Sequence, residues 1–306
     1  MSQYQRLLLI ADPSRHEHAA LQRAGALAEA SGAALHIMAF VKPQVGFALL
    51  DSGLQEQTRA ASLDKHGHWL QDKAGLLRRK GIEVTSEALW TDAPLEEILY
   101  YVEEMQPDLL IKDVQHEPAL KRVFATPLDW HLLRECSVPV HLVAQVAHGL
   151  PRKVVAAVDL SQPKTQLAGL NERIIQVAYE LALQCSAELH LLHAYDLARA
   201  YMAGPAGASN WTADFVEDLK NTLQASFDAL AEGQGVPLDC RHFIKGPPVW
   251  AIADFVVQNQ MDVVVMGVAH HRGVNKLIGG TTEQTLSKVS GSILAVKAPN
   301  KYEGRG

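Results

Sequence analysis

The chain repeats itself. Gln22, Ala24, Leu27, Ala28, Ala33, Leu35, His36, Gly81, Pro94, Ile98, Asp108, Val114 and His116 return, identical, as Gln176, Ala178, Leu181, Ala182, Ala187, Leu189, His190, Gly235, Pro248, Ile252, Asp262, Val268 and His270. One constant offset of 154 residues, held over about ninety positions, marks a duplicated domain rather than chance. Each copy falls within the roughly 100–200 residues of an independent domain, large enough to bury its own core. The expected boundaries are residues 1–146 and 151–299, joined by Val146-Ala147-His148-Gly149-Leu150-Pro151. The functional question becomes which copy has kept a site and which has lost one.

Bulk properties narrow the classes. The 306 residues are 48% apolar with a formal charge of -6 and no basic run, which argues against a phosphate-tracking nucleic-acid surface. No stretch reaches the roughly 18 apolar residues of a membrane span, and Met1-Ser2-Gln3-Tyr4 starts no signal peptide. Cys136, Cys185 and Cys240 are widely separated and match no metal or redox spacing. They read as small buried hydrophobes, and the expected compartment is the cytosol.

Each copy opens on an apolar run closed by an acid. Leu7-Leu8-Leu9-Ile10-Ala11 leads to Asp12-Pro13-Ser14, and Val154-Val155-Ala156-Ala157-Val158 leads to Asp159-Leu160-Ser161. Such runs fit strands buried on both faces, with the acid at the C-terminal edge. The offset from Asp12 to Asp159 is only 147, so the second copy carries about seven extra residues after its first strand. The Ala-x-x-Leu-Ala pattern then gives i, i+3, i+4 spacing and predicts helices near 16–30 and 169–184. Strands follow at Ala34 to Val41 and Glu188 to Tyr195, then long helices near 55–80 and 213–232. Gly81 and Gly235 suit left-handed positions just past them. Third strands start at Ile82 and Val236, and Pro94 and Pro248 open short helices. Fourth strands fall at Asp108 to Ile111 and Asp262 to Val265, and last strands at Val138 to Val143 and Ser292 to Lys297. Strands alternating with helices imply parallel pairing through right-handed crossovers. The expected fold class is α/β: two tandem Rossmann-like domains, each a five-stranded doubly wound parallel sheet.

In such sheets ligands sit beyond the strand C-termini at the topological switch point. That places Asp159 and Met266-Gly267 at the candidate site, followed by a loop through His270, His271, Gly273, Gly279, Gly280, Thr281 and Thr282. Backbone amides at a helix N-terminus, with two threonine hydroxyls, suit phosphate oxygens. Glycine at 267 lets the backbone approach a ligand closely. A tight loop with an N-cap threonine explains Gly279-Gly280-Thr281 equally well, and the pattern is neither a Walker loop nor a dinucleotide fingerprint.

At this point the chain resembles a known family, the tandem universal stress proteins. Two stretches carry the resemblance: Phe124-Ala125-Thr126-Pro127-Leu128-Asp129-Trp130-His131-Leu132-Leu133-Arg134-Glu135-Cys136 in the first copy, and Gly267 to Gln284 in the second. The latter is similar to the family's nucleotide loop of Gly, two residues, Gly, nine residues, then Gly-Ser or Gly-Thr. Gly267, Gly280 and Thr281 match three of the four positions, and His270 stands at the second glycine. Asp159 matches the acid that the family places beside the nucleoside. The resemblance therefore implies an adenine nucleotide, ATP or AMP with magnesium, with Asp159, Gly267, His270, Gly273, Gly280, Thr281 and Thr282 as the contact set. It also implies that the two copies pair within one chain, with the last strands around Val140 and Ile293 as the natural edge.

The first copy departs further. Asp113, His116 and Thr126-Pro127 replace the loop's first glycine, second glycine and terminal pair. Asp113 repels phosphate and Pro127 lacks an amide donor, so an architectural role is expected there. The recurrence of His116 as His270 beside the presumed cavity raises a zinc site as a lesser alternative. His36 and His190 are expected to satisfy backbone partners within their strands. Trp130 and Trp250 read as packing residues.

No nucleophile–base constellation, arginine finger or Walker lysine emerges, so any hydrolysis should be very slow. The leading expectation is a cytosolic stress-response protein that binds a small ligand in its second copy and passes the event to a protein partner. A homodimer of the tandem chain stays open. The alternative is a scaffold whose cavity accepts an apolar metabolite, lined from Lys42 to Ser52 and Tyr195 to Trp211, or a histidine-held metal.

Overall fold

The computed structural model describes residues 4–14, 18–43, 45–114, 128–144, 147–161, 169–197, 212–268, 284–285 and 288–298. The chain divides into two compact units, Met1–Leu150 and Pro151–Gly306.

The first unit runs β1 (Arg6–Ala11), α1 (Ala19–Ser31), β2 (Ala34–Val41), α2 (Ser52–Arg78), β3 (Val84–Trp90), α3 (Pro94–Met105), β4 (Leu109–Asp113), α4 (Leu128–Glu135) and β5 (Val140–Val143). Its strands lie in the order β3-β2-β1-β4-β5 and pair in parallel throughout. The second unit repeats the plan. It runs β6 (Lys153–Val158), α5 (Leu170–Cys185), β7 (Glu188–Tyr195), α6 (Ala213–Gly233), β8 (Arg241–Lys245), α7 (Pro248–Asn259), β9 (Val263–Val268) and β10 (Ser292–Lys297). Its order is β8-β7-β6-β9-β10, again parallel.

The physical reason lies in the strand sequences. Leu7, Leu8, Leu9, Leu109, Leu110 and Ile111 are almost wholly buried, as are Val154, Val155, Val263, Val264 and Val265, so the central strands are covered on both faces. Full burial of such a side chain contributes about 1.5–3 kcal/mol, and the unbroken apolar runs concentrate that gain in the middle of each sheet. The Ala-rich stripe of α1, Ala20, Ala24, Leu27 and Ala28, is buried, as are Ala178, Leu181 and Ala182 of α5. Pro94 and Pro248 begin α3 and α7, and Gly81 and Gly235 take positive φ values of 85° and 67°.

The recurring Asp108 and Asp262 are explained by the strand starts. Asp108 Oδ2 accepts from the amides of Gln5 at 2.7 Å and Arg6 at 2.9 Å. Asp262 Oδ2 accepts from Arg152 at 2.7 Å and Lys153 at 3.0 Å. Each acid ties its first strand to its fourth at the end away from the candidate site. In both units the order reverses between those two strands, β1 and β4 or β6 and β9, and leaves the crevice at their C-terminal ends.

Candidate functional site

The second unit brings two of the expected site residues to that crevice. In the β6–β9 register Ala157 lies opposite Met266, so Asp159 and Gly267 follow at the ends of neighbouring strands. Asp159 is exposed and forms an Asx turn: its Oδ1 accepts from the Ser161 amide at 2.9 Å and the Ser161 hydroxyl at 2.6 Å. Asn171 in the first turn of α5 clamps the same residue. Its Nδ2 donates to the Asp159 carbonyl at 2.8 Å, and its Oδ1 accepts from the Asp159 amide at 3.1 Å. The acid is thus held in place beside the start of α5.

At Gly267 the structure shows what the missing side chain makes room for. A Cβ there would lie 2.7 Å from Leu170 Cδ2 and 2.8 Å from its Cγ, both inside van der Waals contact. Leu170 is the first residue of α5 and is buried, so glycine at 267 lets this helix pack onto the strand end. His270, Gly273, Gly280, Thr281 and Thr282 lie outside the described residues.

One residue of this region has no advance signal in the sequence. His193 on β7 is wholly buried, and its Nδ1 donates to the carbonyl of Val158, the residue before Asp159, at 3.0 Å. A carbonyl only accepts, so Nδ1 carries the proton and Nε2 is left as an acceptor. That Nε2 is buried and without a hydrogen bond. Phe227 of α6 and Phe243 of β8 stack or tilt against the ring at 6.4 and 5.6 Å between centroids. Burial lowers the imidazole below its ordinary value, and the nearby Val158 carbonyl and Asp159 charge offset this only in part. Because the folded value is depressed, the stability His193 contributes is complete above about pH 6.5 and fades as pH falls through the folded value.

The first unit builds the same place differently. Asp12 repeats the Asx turn, its Oδ1 accepting from the amide and hydroxyl of Ser14 at 3.0 and 2.6 Å. The strand end beside it is charged. Asp113, buried at the end of β4, accepts through Oδ1 from the Ala20 amide at 2.8 Å. Helix α1 has no acid in its first turn and no side-chain cap of its own, so a carboxylate from the sheet serves its N-terminus. Beside it Lys112 pairs with Asp129 of α4 at 2.8 Å, with both side chains almost fully buried, and Lys112 Nζ also donates to the Asp113 carbonyl at 2.9 Å. A helix N-terminus is where this type of fold receives an anion; here the protein supplies its own. His116, Thr126 and Pro127 lie outside the described residues.

Several sequence expectations are corrected. His36 and His190 bond to side chains rather than to backbone: His36 Nδ1 meets Thr85 Oγ1 at 2.7 Å, and His190 Nδ1 meets His242 Nε2 at 3.0 Å. The strand backbones spend their own groups on the parallel ladders, so the rings find partners across the strands. Trp250 is not a core residue; it is 54% exposed, with Lys288 Nζ 4.6 Å from its ring centroid. Cys136 and Cys185 are buried as expected, whereas Cys240 is only partly covered. Among the described residues, no group of three or more His, Cys, Asp or Glu side chains is arranged to hold a metal. His270, on which the zinc alternative rested together with His116, is not among them. Among the described residues no helix is long and apolar enough to cross a membrane.

Fold and site together define a tandem of doubly wound α/β domains, each with a strand-end crevice, one closed by buried charge and one left uncharged. The universal stress protein family profile matches residues 3–144 and again 151–297, and the chain belongs to that family. It is 27% identical to universal stress protein E of Escherichia coli K12 over 310 aligned residues, covering 99% of this chain and 96% of that protein. It is 26% identical to the universal stress protein E homolog of Haemophilus influenzae, with 97% and 99% coverage. A protein of unknown function from Pseudomonas aeruginosa PAO1 shares the fold with a TM-score of 0.73 at 23% identity, over 96% of this chain and 93% of that one.

Proposed function

We propose that this protein is a stress-response binding protein that takes an adenine nucleotide, with magnesium, at the strand ends of its second unit, and that it has little or no catalytic activity. The observation that supports this most is the contrast at equivalent positions: Lys112-Asp113 in the first unit, Met266-Gly267 in the second. A buried carboxylate on a helix N-terminus excludes a phosphate; an uncharged strand end beside a fixed Asp159 does not. The loop that resembles the family's nucleotide loop follows that uncharged end, so His270, Gly273, Gly280, Thr281 and Thr282 form the proposed cradle with Asp159, while at Gly267 the space is taken by Leu170 rather than left to a ligand. A cytosolic location, a small-molecule ligand and a regulatory protein partner belong to the same reading.

The test is thermal melting of metal-stripped protein with and without Mg-ATP, AMP or zinc. A ligand at a hundredfold excess over its Kd adds about 2.7 kcal/mol, visible as a rise in Tm. The nucleotide shift should be present in the wild type and absent in Gly280→Asp, whose own Tm without ligand stays near the wild-type value. No nucleotide shift in the wild type overturns the reading in favour of a scaffold, and a shift with zinc alone moves the site to the histidines.

A further inference from the structure

The partnership of His190 with His242 is unlike its counterpart in the other unit. His190 on β7 and His242 on β8 approach Nδ1 to Nε2 at 3.0 Å, with ring centroids 5.3 Å apart and planes 30° apart. In the first unit the equivalent His36 meets a hydroxyl, Thr85 Oγ1, at 2.7 Å. A hydroxyl both donates and accepts, so His36 keeps that contact whether neutral or protonated. An imidazole pair has no such freedom. One N–H between the rings makes a hydrogen bond, and a first added proton on the pair leaves that bond in place. When both rings are protonated, two N–H groups face each other across 3.0 Å, with their hydrogens about 1 Å apart, and two positive charges meet.

We infer that the His190–His242 pair is a proton-sensitive latch: it holds the edge strand β8 to β7 while the pair carries at most one extra proton, and releases it when the pair takes a second.

The surroundings set the direction. Glu188 Oε2 lies 3.5 Å from His190 Nε2, on the side away from His242, and Lys153 Nζ is 3.8 Å from the same oxygen. That carboxylate meets the outer nitrogen of His190 and leaves the nitrogen between the rings to His242. From the turn before β8, Asp239 and Cys240 are the titratable neighbours, and Cys240 feels both Asp239 and Glu188. Helix α7 offers Phe255, whose ring is 4.5 Å from that of His242, while its acid Asp254 is exposed. Burial first, and then His190, hold His242 below the ordinary imidazole value. Its neutral form is therefore the folded one, and stability that depends on it is lost as pH falls below about 6.5 through the folded value. Strand β8 ends the sheet order, so it has a single described strand neighbour to hold it. Release exposes the outer edge of β7 and removes the ring contact of His242 with Phe255. This device does not depend on what the strand-end crevice binds.

The test follows the imidazole C2 protons of His190, His242 and His193 by NMR from pH 8 to 4.5, with hydrogen exchange of the β8 amides on the same samples. In the wild type the pair should take its two protons in steps at least one pH unit apart. Exchange of residues 241–245 should rise at least tenfold with the second step. His242→Thr installs the kind of partner His36 has; there His190 should titrate as a single group and the exchange step should vanish, while His193 titrates as before. His190→Thr serves as the second variant and should remove the step in the same way. Independent titration of both rings with unchanged exchange, or a step that survives in both variants, overturns the inference and assigns the acid response to His193.

Discussion

The ends of β4 and β9 occupy the same place in duplicated domains and solve the same problem in opposite ways. A helix must begin against a strand end without leaving a void there. At β4 the solution is charge: Asp113 reaches the Ala20 amide, and Lys112 pairs with Asp129 in the interior. At β9 the solution is shape: the helix starts earlier, at Leu170, and that side chain fills the space above Gly267. Duplication preserved the scaffold while the chemistry of the crevice diverged. At β4 the protein supplies a carboxylate to the helix start from its own sequence.

The comparison is broken most severely by removing one member of the buried pair. Lys112→Met removes the buried cation that faces Asp129 and should cost about 3–5 kcal/mol of stability. The double variant Lys112→Met/Asp129→Leu should recover most of that loss, as measured by denaturant unfolding. Equal losses in single and double variants would mean that the pair's position, not its charge, holds the first unit together. A smaller effect is expected at the other strand end. Gly267→Ala forces a Cβ against Leu170 and should cost about 1–3 kcal/mol by overpacking. Pairing it with Leu170→Ala should relieve the clash, so the two changes together should cost less than the sum of each alone. Additive losses would show that Leu170 is not the reason for glycine at 267.

The smallest effect sharpens the comparison at the helix ends. Helix α1 closes on Gly32 at φ 72°, and α5 closes at the equivalent place on Ser186 at φ 51°. A side chain in the left-handed region is disfavoured by roughly 1–2 kcal/mol, and glycine gives part of that back as unfolded-state entropy. Ser186→Gly should therefore raise stability by up to about 1 kcal/mol, and Gly32→Ser should lower it by a similar amount, both read as Tm shifts. The reciprocal pair tests whether the two units share an energetic plan as well as a topology.

Much of the architecture is legible in the sequence, because apolar runs and a repeated i, i+3, i+4 stripe are local signals. The starts at Pro94 and Pro248 and the limits of β2, β7 and β10 follow directly from them. The third strand of the second unit was expected from Val236, yet β8 begins at Arg241. Pro237 opens a 3-10 turn over Leu238–Cys240, and Arg241 Nε reaches back to the Val236 carbonyl at 2.8 Å. A proline without an amide cannot donate to the ladder, so the strand starts only beyond the turn it opens. Of the candidate site, Asp159 and Gly267 were legible because acids and glycines at strand ends are local features. Lys112 with Asp129, and His193 under Val158, were not, because a residue's identity does not disclose which way it faces or what lies opposite.

The sequence by itself determined the duplication, the alternation of strands and helices, and the placement of an acid after each first strand, since each is written in spacing along one chain. Only the tertiary structure decided that Asp113 caps a helix from the neighbouring strand, that Leu170 is the reason Gly267 lacks a side chain, and that two histidines 52 residues apart share a single hydrogen bond. Those are meetings between segments distant in sequence. Their energy depends on distance, direction and exclusion of water, and these exist only once the chain has folded.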